Sequence, residues 1–188
     1  AGVSTESNIP DFRSQEGIYN IKNKYKYSPE TMLSHSFFIE KTSLFFDFYK
    51  SSMVFPGAKP NLAHEVLSKL EKMGKLKSII TQSIDGLHQM AGSTNVLELH
   101  GSIHRNYCMD CHKSFELDYV LKSDDIPLCD KCNGIVKPDV VLYEEGLEQE
   151  VIEKSVSAIQ DADVLIIGGT SLSVYPAAGL IDYYKGDK

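Results

Sequence analysis

The four cysteines constrain the fold of this 188-residue chain more than any other feature, because they form two closely spaced pairs. Two residues separate Cys108 from Cys111 and Cys129 from Cys132, and 17 residues lie between the pairs. Each such turn places two sulfurs on one side of a tight loop, and two turns together complete a tetrahedron around Zn²⁺. Four thiolates leave no open coordination position, so we predict one structural zinc ion.

Two other interpretations of the cysteines stay open at this point, namely two disulfides or four reduced thiols packed as small hydrophobic groups. The sequence shows no secretory leader and no fifth cysteine, and both observations favour zinc. His104 and His112 lie close to the pairs in the sequence. Because four sulfurs suffice for a closed site, we expect both histidines to be ordinary loop residues.

Short apolar runs alternate with helical patterns in the rest of the chain. Residues 78–81, 95–99 and 163–167 are predicted to form buried strands, and the third, which is continuously apolar, is expected to be covered on both faces. Apolar residues at helical spacing predict a helix capped by Asn61 and another over residues 147–159. The alternation indicates an α/β fold with a Rossmann-like, doubly wound parallel sheet.

Two segments interrupt this alternation and are expected to form a smaller lobe. One is a helical insertion at about residues 21–58, with Pro29 at the first position of a helix, and the other is the zinc module at about residues 105–137. The Rossmann-like part then comprises about residues 1–20, 59–104 and 138–188. The aromatic stretch at residues 37–49 is interpreted either as the core of the helical insertion or as part of a groove lining.

Four polar loops open the chain or follow predicted strands, and we expect them to meet in one crevice. Residues 1–13 begin with small side chains that let backbone N–H groups approach a phosphate, and residues 81–88 and 168–173 follow strands. His100 directly follows the predicted strand at residues 95–99, and Gly101 comes next. Ligands of doubly wound folds bind beyond the carboxyl ends of strands, and an imidazole with a pKa of about 6.5 suits a general base. The alternative for His100 is a hydrogen-bonded structural histidine.

The charge balance narrows the classes of function. The 19 basic and 26 acidic residues give a net charge of −7, which disfavours nucleic acid as a partner. No apolar run approaches the roughly 20 residues that span a bilayer, so we expect no membrane segment. We expect a cytoplasmic monomer, and we interpret both ends of the chain as truncated.

The motifs occur together in an order that resembles the sirtuin family of NAD-dependent protein deacylases, in its bacterial-type, zinc-containing form. The matching residues are Ala1-Gly2-x-Ser4, residues 9–13, 81–82, 84–88 and 99–101, the two cysteine pairs, and residues 137–141 and 169–172. The resemblance covers nearly the whole chain and implies one catalytic domain. It implies an enzyme that removes acetyl or other uncharged acyl groups from protein lysines with NAD as cofactor, giving nicotinamide, O-acyl-ADP-ribose and free lysine.

The resemblance also implies roles for individual residues. His100 is implied as the base that activates a ribose hydroxyl, Phe12 as a shield of the ribose, and Asp85 as a partner of the nicotinamide amide. The implied cofactor-binding residues are Ala1, Gly2, Thr5, Asp11, Phe12, Arg13, Gln82, Ser83, Ile84, Asp85, Gly169, Thr170 and Ser171. The implied substrate-binding residues, which pair with the peptide as a neighbouring strand, are Val140, Val141, Leu142 and Tyr143.

Four positions depart from the family pattern. Ser83 stands where the family usually has Asn, Asn8 where it has Gly, Lys137 where Arg is common, and Glu144 where Gly often follows the substrate strand. Serine offers one hydroxyl and cannot replace both groups of an amide, so a catalytically weakened form that binds NAD and peptide is one alternative. An ADP-ribosyltransferase or NAD hydrolase on the same fold is another, and a zinc-ribbon binding module is a non-enzymatic one.

The preferred acyl group is also implied by the resemblance. Family members that remove succinyl or malonyl groups carry a Tyr-x-x-Arg pair in the helical lobe, and the matching residues here are Phe46, Asp47, Phe48 and Tyr49. Neither residue of that pair is in place, and Asp47 is expected to repel an anion. We therefore expect a preference for acetyl or other uncharged acyl groups.

Overall fold

Two small sheets organise the chain in the computed structural model, which describes residues 2–12, 14, 17–18 and 25–186. The strands are β1 (Ile79–Thr81), β2 (Val96–Glu98), β3 (Gly101–Cys108), β4 (Ser114–Phe115) and β5 (Val136–Val140). The α-helices are α1 (Pro29–Met32), α2 (His35–Glu40), α3 (Thr42–Ser52), α4 (Leu62–Lys72), α5 (Leu87–Met90), α6 (Leu117–Lys122) and α7 (Gln149–Gln160). Two 3₁₀ helices, Gly2–Ser7 and Ala177–Tyr183, complete the described elements.

The first sheet pairs β1 and β2 in parallel, with Ile79 opposite Val96. The second places β3 between β4 and β5 in an antiparallel order. Since β3 begins directly beyond β2 and ends at Cys108, it joins the parallel sheet to the cysteine module. The predicted strands at 78–81 and 95–99 are confirmed, and their ends set the position of the loops that follow them.

The predicted strand at residues 163–167 is wrong in this structure. These residues form no strand among the described part of the chain, and Val164 and Ile166 are 72% and 81% exposed. Apolar composition makes a segment able to enter a sheet, but a strand exists only where a neighbour bonds its backbone groups. No described residue supplies such pairing to residues 164–167.

The helices α1 and α4 begin where the sequence predicts their starts. Ser28 accepts a hydrogen bond from the N–H of Thr31 and caps α1, whose first residue is Pro29, as predicted. Asn61 caps α4, and α7 covers Gln149–Gln160 where residues 147–159 were expected. Side-chain caps fix the starts of α1 and α4, because a cap satisfies N–H groups that the helix itself leaves free. The residue before α7, Glu148, makes no side-chain capping bond.

One apolar core joins the helical insertion to the cysteine module, and a second lies beneath the parallel sheet. The first contains Phe38 and Phe45, whose ring centroids lie 4.9 Å apart, together with Val120 and Val136. The second contains Leu99 and the buried residues Ile159, Ala177 and Leu180. The aromatic stretch of α3 is therefore core, and the interpretation that it lines a groove is wrong for Phe46 and Phe48, each 1% exposed.

Candidate active site

A cavity of about 850 Å³ lies where the loops beyond β1 and β2 meet the Gly2–Ser7 helix and residues 169–176. Most predicted site residues line it, namely Gly2, Asp11, Phe12, Gln82, Ser83, Ile84, Asp85, His100, Val140, Val141, Leu142, Tyr143, Gly169, Thr170 and Ser171. Thr5 does not: it is exposed, and its Oγ1 donates to the carbonyl of Gly2 over 2.8 Å. Ala1 and Arg13 lie outside the described residues.

The two glycine-containing loops touch each other at the cavity. The N–H of Gly2 donates to the carbonyl of Gly169 over 2.9 Å. A Cβ on Gly2 would lie 2.6 Å from that carbonyl oxygen, and one on Gly169 would lie 2.5 Å from the nitrogen of Val3. Both positions therefore require glycine, and the bare backbone that results is the surface that a pyrophosphate can approach closely.

His100 presents an unprotonated nitrogen. Its Nδ1 lies 3.1 Å from the carbonyl oxygen of Gln82. A carbonyl only accepts, so Nδ1 carries the proton and Nε2 has a free lone pair in the neutral ring. Burial lowers the pKa of His100, which keeps the ring neutral at neutral pH. Gly101 follows with φ +74°, where a side chain would collide with the carbonyl of Asp139.

The carboxylate of Asp85 is fixed by two segments of the chain. Its Oδ2 accepts from the hydroxyl of Ser4 over 2.6 Å, and its Oδ1 accepts from the N–H of Leu87 over 2.9 Å at the start of α5. The Asp85 carbonyl lies 3.0 Å from Nε2 of His104, which must donate to it. His104 therefore orients the loop that carries Asp85.

The four cysteines form one cluster. Their sulfurs all lie within 4.8 Å of one another, with 3.3 Å between Cys108 and Cys132 and 3.6 Å between Cys111 and Cys129. Zn–S bonds of about 2.3 Å in a tetrahedron place sulfurs about 3.8 Å apart, so the donor set fits Zn²⁺. None of the four is in a disulfide, and that alternative is wrong. His104 and His112 are outside the cluster, as expected.

The predicted substrate strand faces the cavity with most of its backbone donors engaged. The N–H groups of Val141 and Tyr143 donate to the carbonyls of His100 and Leu33 over 3.1 and 2.9 Å. The N–H of Leu142 donates to Glu145 over 2.8 Å. These residues can therefore shape the cavity through their side chains, while few of their N–H groups are available to a peptide.

Glu144 and Lys137, two of the residues that depart from the family pattern, each make polar contacts with residues nearby in the structure. Glu144 adopts φ +75°, a left-handed conformation in which glycine is favoured. Its carboxylate accepts from the N–H and the hydroxyl of Ser36, both over 2.9 Å, and these bonds lower its pKa. Lys137 reaches Glu145 over 3.2 Å.

A model described as the Sir2 family matches residues 1–176. The chain belongs to the Sir2 family. The relatives of this Sir2 family member include proteins of Clostridium acetobutylicum, 68% identical over 189 residues, and Cutibacterium acnes, 50% identical over 186 residues. Both are named NAD-dependent protein deacetylase, and the match covers 100% and 99% of this chain and 77% and 76% of theirs.

Solved Sir2 structures have the same fold. One is a Sir2 alanine variant with a deacetylated p53 peptide and 3'-O-acetyl-ADP-ribose. It has a TM-score of 0.88 and 41% sequence identity, and the match covers 97% of this chain and 74% of the solved chain. Another is a variant of a Sir2 homologue with ADP-ribose, with a TM-score of 0.87 and 38% sequence identity. The match covers 99% of this chain and 74% of the solved chain. The fold expected from the sequence, a Rossmann-like sirtuin fold with a zinc ribbon, is confirmed.

Several cavity residues of this Sir2 family member escaped prediction. They are Ile18, Leu33, Met53, Phe55, Pro56, Glu116, Leu117, Asp118 and Leu121. Apart from Ile18, which precedes the helical insertion, they lie on the helical insertion and the cysteine module. No motif marks them, because only the packing of the two segments brings them to the cavity. None of the described helices is long and apolar enough to cross a membrane.

Asp47 does not line the cavity, contrary to expectation. Its carboxylate accepts from the hydroxyl of Tyr25 over 2.6 Å, and its neighbours Phe46 and Phe48 are buried in the core. The negative charge of the cavity comes from other residues, namely Asp11, Asp85, Glu116, Asp118, Glu144 and Glu145. No Lys or Arg is among the described residues that line it.

Proposed function

We propose that this Sir2 family member removes acetyl groups from protein lysines in an NAD-dependent reaction, giving nicotinamide, O-acetyl-ADP-ribose and free lysine. The observation that carries the proposal is the neutral imidazole of His100, whose free Nε2 belongs to the cavity that the glycine loops enclose. Relatives named NAD-dependent protein deacetylase at up to 68% identity support it. Incubation with NAD and an acetyl-lysine peptide should yield O-acetyl-ADP-ribose by mass spectrometry, and plain ADP-ribose or ADP-ribosylated protein would favour the rival activities instead.

The residues that line the cavity fit NAD, and different residues can bind different parts of it. The exposed backbone of Gly2 and Gly169 can receive the pyrophosphate, and the oriented carboxylate of Asp85 can accept from the nicotinamide amide. When bound, NAD supplies a glycosidic bond whose cleavage allows transfer of the acetyl group to ADP-ribose. His100 takes up a hydroxyl proton at Nε2, and its Nδ1–H stays on the Gln82 carbonyl and holds the tautomer.

The cysteine cluster holds a structural zinc ion away from this chemistry. Cys108 ends the strand β3, which begins next to His100 and has eight residues. The two ends of β3 pair with the two ends of β5, Gly101 with Val140 and Cys108 with Val136. At about 3.3 Å per residue, the five residues of β5 keep these ends about 13 Å apart, so the zinc site is remote from the reacting groups. Four thiolates also leave no position for a water molecule.

The remaining assignments extend this proposal. The predicted site residues that line the cavity keep their assigned roles, with His100 as base, except that Val140, Val141, Leu142 and Tyr143 contact the substrate mainly through their side chains. Ala1 and Arg13 keep their assignment to the cofactor, and Thr5 does not. The division into a Rossmann-like part, a helical insertion and a zinc module is likewise part of it. We also propose that the protein is a cytoplasmic monomer that acts on acyl-lysine proteins. Its net charge of −7 supports the further proposal that it binds no nucleic acid.

The charge of the cavity predicts the acyl preference. Six carboxylates line it, and none of its described lining residues is Lys or Arg, so among these residues a succinyl carboxylate would meet negative charge and no cationic partner. We expect kcat/KM for an acetyl-lysine peptide to exceed that for the succinyl-lysine form of the same peptide by at least about tenfold. A peptide with a propionyl group, similar in size but uncharged, is the matched control. Equal or faster turnover of the succinyl peptide would contradict the preference.

Replacing Ser83 with Asn is predicted to raise the deacetylase activity. The family usually has Asn at this position, and the serine hydroxyl replaces only one of the two polar groups of an amide. We expect Ser83→Asn to raise kcat/KM for acetyl-lysine by up to about tenfold, because a net hydrogen bond contributes about 0.5–1.5 kcal/mol. Ser83→Ala serves as control and should not exceed the parent. Unchanged or lower activity of Ser83→Asn would contradict the prediction and the weakened-form alternative with it.

A further inference from the structure

A buried pair of histidines lies behind the cavity, between α4 and α5. His64 is 0% and His88 is 5% exposed, and their ring centroids lie 4.7 Å apart with the planes at 61°. Nε2 of His64 and Nδ1 of His88 are buried without a hydrogen-bond partner among the described residues. The hydroxyls of Ser68 and Ser93 are likewise buried without a hydrogen-bond partner among the described residues. Burying imidazoles in this way costs free energy, which calls for a compensating role.

His64 is linked to the first cofactor loop through Asn61. The N–H of Asn61 donates to Nδ1 of His64 over 3.2 Å, which completes a reciprocal cap at the start of α4. The amide nitrogen of Asn61 in turn donates to the carbonyl of Val3 over 2.8 Å and to the hydroxyl of Ser7 over 3.0 Å. The orientation of the Asn61 side chain therefore sets the position of the Gly2–Ser7 helix.

His88 is linked to the second cofactor loop through α5. It is the second residue of that helix, whose first N–H, from Leu87, donates to Asp85. The same carboxylate accepts from Ser4 in the Gly2–Ser7 helix. The contact between the two imidazoles thus closes a ring of contacts that runs from the Gly2–Ser7 helix through α4 and α5 to Asp85 and back.

We propose that His64 and His88 are positioning residues that hold the Gly2–Ser7 helix and Asp85 in register for the dinucleotide. The proposal rests on the proposed function, in which those two segments bind NAD. The contact between His64 and His88 touches neither cofactor nor substrate. It acts on the Gly2–Ser7 helix through Asn61 and on Asp85 through α5.

The pair acts in its neutral form. Nδ1 of His64 accepts a backbone hydrogen bond, so a doubly protonated ring would lose the cap of α4. Burial lowers the pKa of both rings, and the neighbouring His64 helps to bring the pKa of His88 to about 4. Among the described side chains, Asp85 is the charged group that acts on both rings, and it opposes this lowering.

Two substitutions at His64 test the role through the KM for NAD. His64→Leu removes the acceptor for the Asn61 N–H, and we expect it to raise the KM for NAD by about tenfold or more while kcat stays within about threefold. His64→Gln supplies a side-chain oxygen in the arrangement of a capping box and should restore KM to within about threefold of the parent. Both variants are assayed as full-length, zinc-loaded chains at neutral pH, together with direct NAD titration.

A second pair of variants keeps the test informative if His64→Leu fails to fold. His88→Leu fills the same space without an unpartnered nitrogen, so we expect an unchanged or higher melting temperature together with a raised KM for NAD. Ser93→Ala removes another unpartnered polar atom from the region and is the matched control, with an unchanged KM. Unaltered NAD affinity in folded His64→Leu or His88→Leu would overturn the positioning role alone. Absence of NAD-dependent product with the parent chain would instead overturn the proposed function.

Discussion

Replacing His100 with alanine is expected to lower kcat/KM for acetyl-lysine removal by about 10²- to 10⁴-fold, the range that general-base catalysis contributes. The reason is specific to the geometry of one ring. Because Nδ1 donates to the Gln82 carbonyl, Nε2 is the free acceptor, and no other imidazole at the cavity is held in the same way. His104 also lines the cavity, but its Nε2 already donates to the Asp85 carbonyl.

The His100→Ala variant should still bind NAD although its catalytic activity is largely lost. The Gly2–Gly169 contact and the bonds to Asp85 do not involve His100, so NAD affinity measured by titration should change by less than about threefold. The control is His112→Asn, since His112 is exposed, stands outside the cavity and adopts φ +57°, a conformation that Asn tolerates. A His100→Ala chain that retains more than a tenth of the parent activity would remove this residue from the mechanism.

Features set by local chemistry could be predicted from the sequence. The cysteine spacing predicted a four-sulfur cluster because each C-x-x-C turn fixes two ligands within four residues. Ser28 and Asn61 predicted helix starts because a cap bonds N–H groups only two or three residues away. His100 was predicted at the crevice because it directly follows a strand, and the structure places it on the cavity lining.

Features that depend on distant contacts could not be predicted. The apolar run at 163–167 has the composition of a buried strand, yet pairing is decided by backbone groups elsewhere in the chain. Phe46 carries the same apolar signal whether it lines a groove or packs in a core, and only the fold distinguishes the two. The cavity residues Glu116 and Met53 come from separate segments that share one core, so neither has a motif of its own.

The internal link between the histidine pair and the cofactor loops had no sequence signal for a related reason. Asn61 was predicted as a helix cap, and its amide nitrogen turned out to hold Val3 and Ser7 as well. A single side chain with a donor and an acceptor can serve its own helix and a distant loop at once. The local role is readable from spacing, whereas the distant one exists only after the helix and the loop have met.

Removing zinc is expected to cause the largest loss of stability. In zinc-finger peptides metal binding contributes apparent free energies of about 10–16 kcal/mol, comparable to the whole stability of a domain. Cys108 lies fully buried in the core that the cysteine module shares with the helical insertion, beside Val120 and Val136. Loss of the ion should therefore loosen both segments rather than the module alone.

The measurement combines metal analysis with thermal unfolding. The parent chain should carry about one zinc, and Cys111→Ser or treatment with a chelator should reduce that content and lower the melting temperature by more than 10 °C or so, since 1 kcal/mol corresponds to about 2–4 °C in a chain of this size. Activity should fall in parallel, because β3 runs from the cluster to the residue after His100. His112→Asn, next to Cys111 but outside the cluster, should keep the metal. Full metal loading in a chain with all four cysteines replaced by alanine would refute the site, and unchanged stability after its removal would refute the structural role.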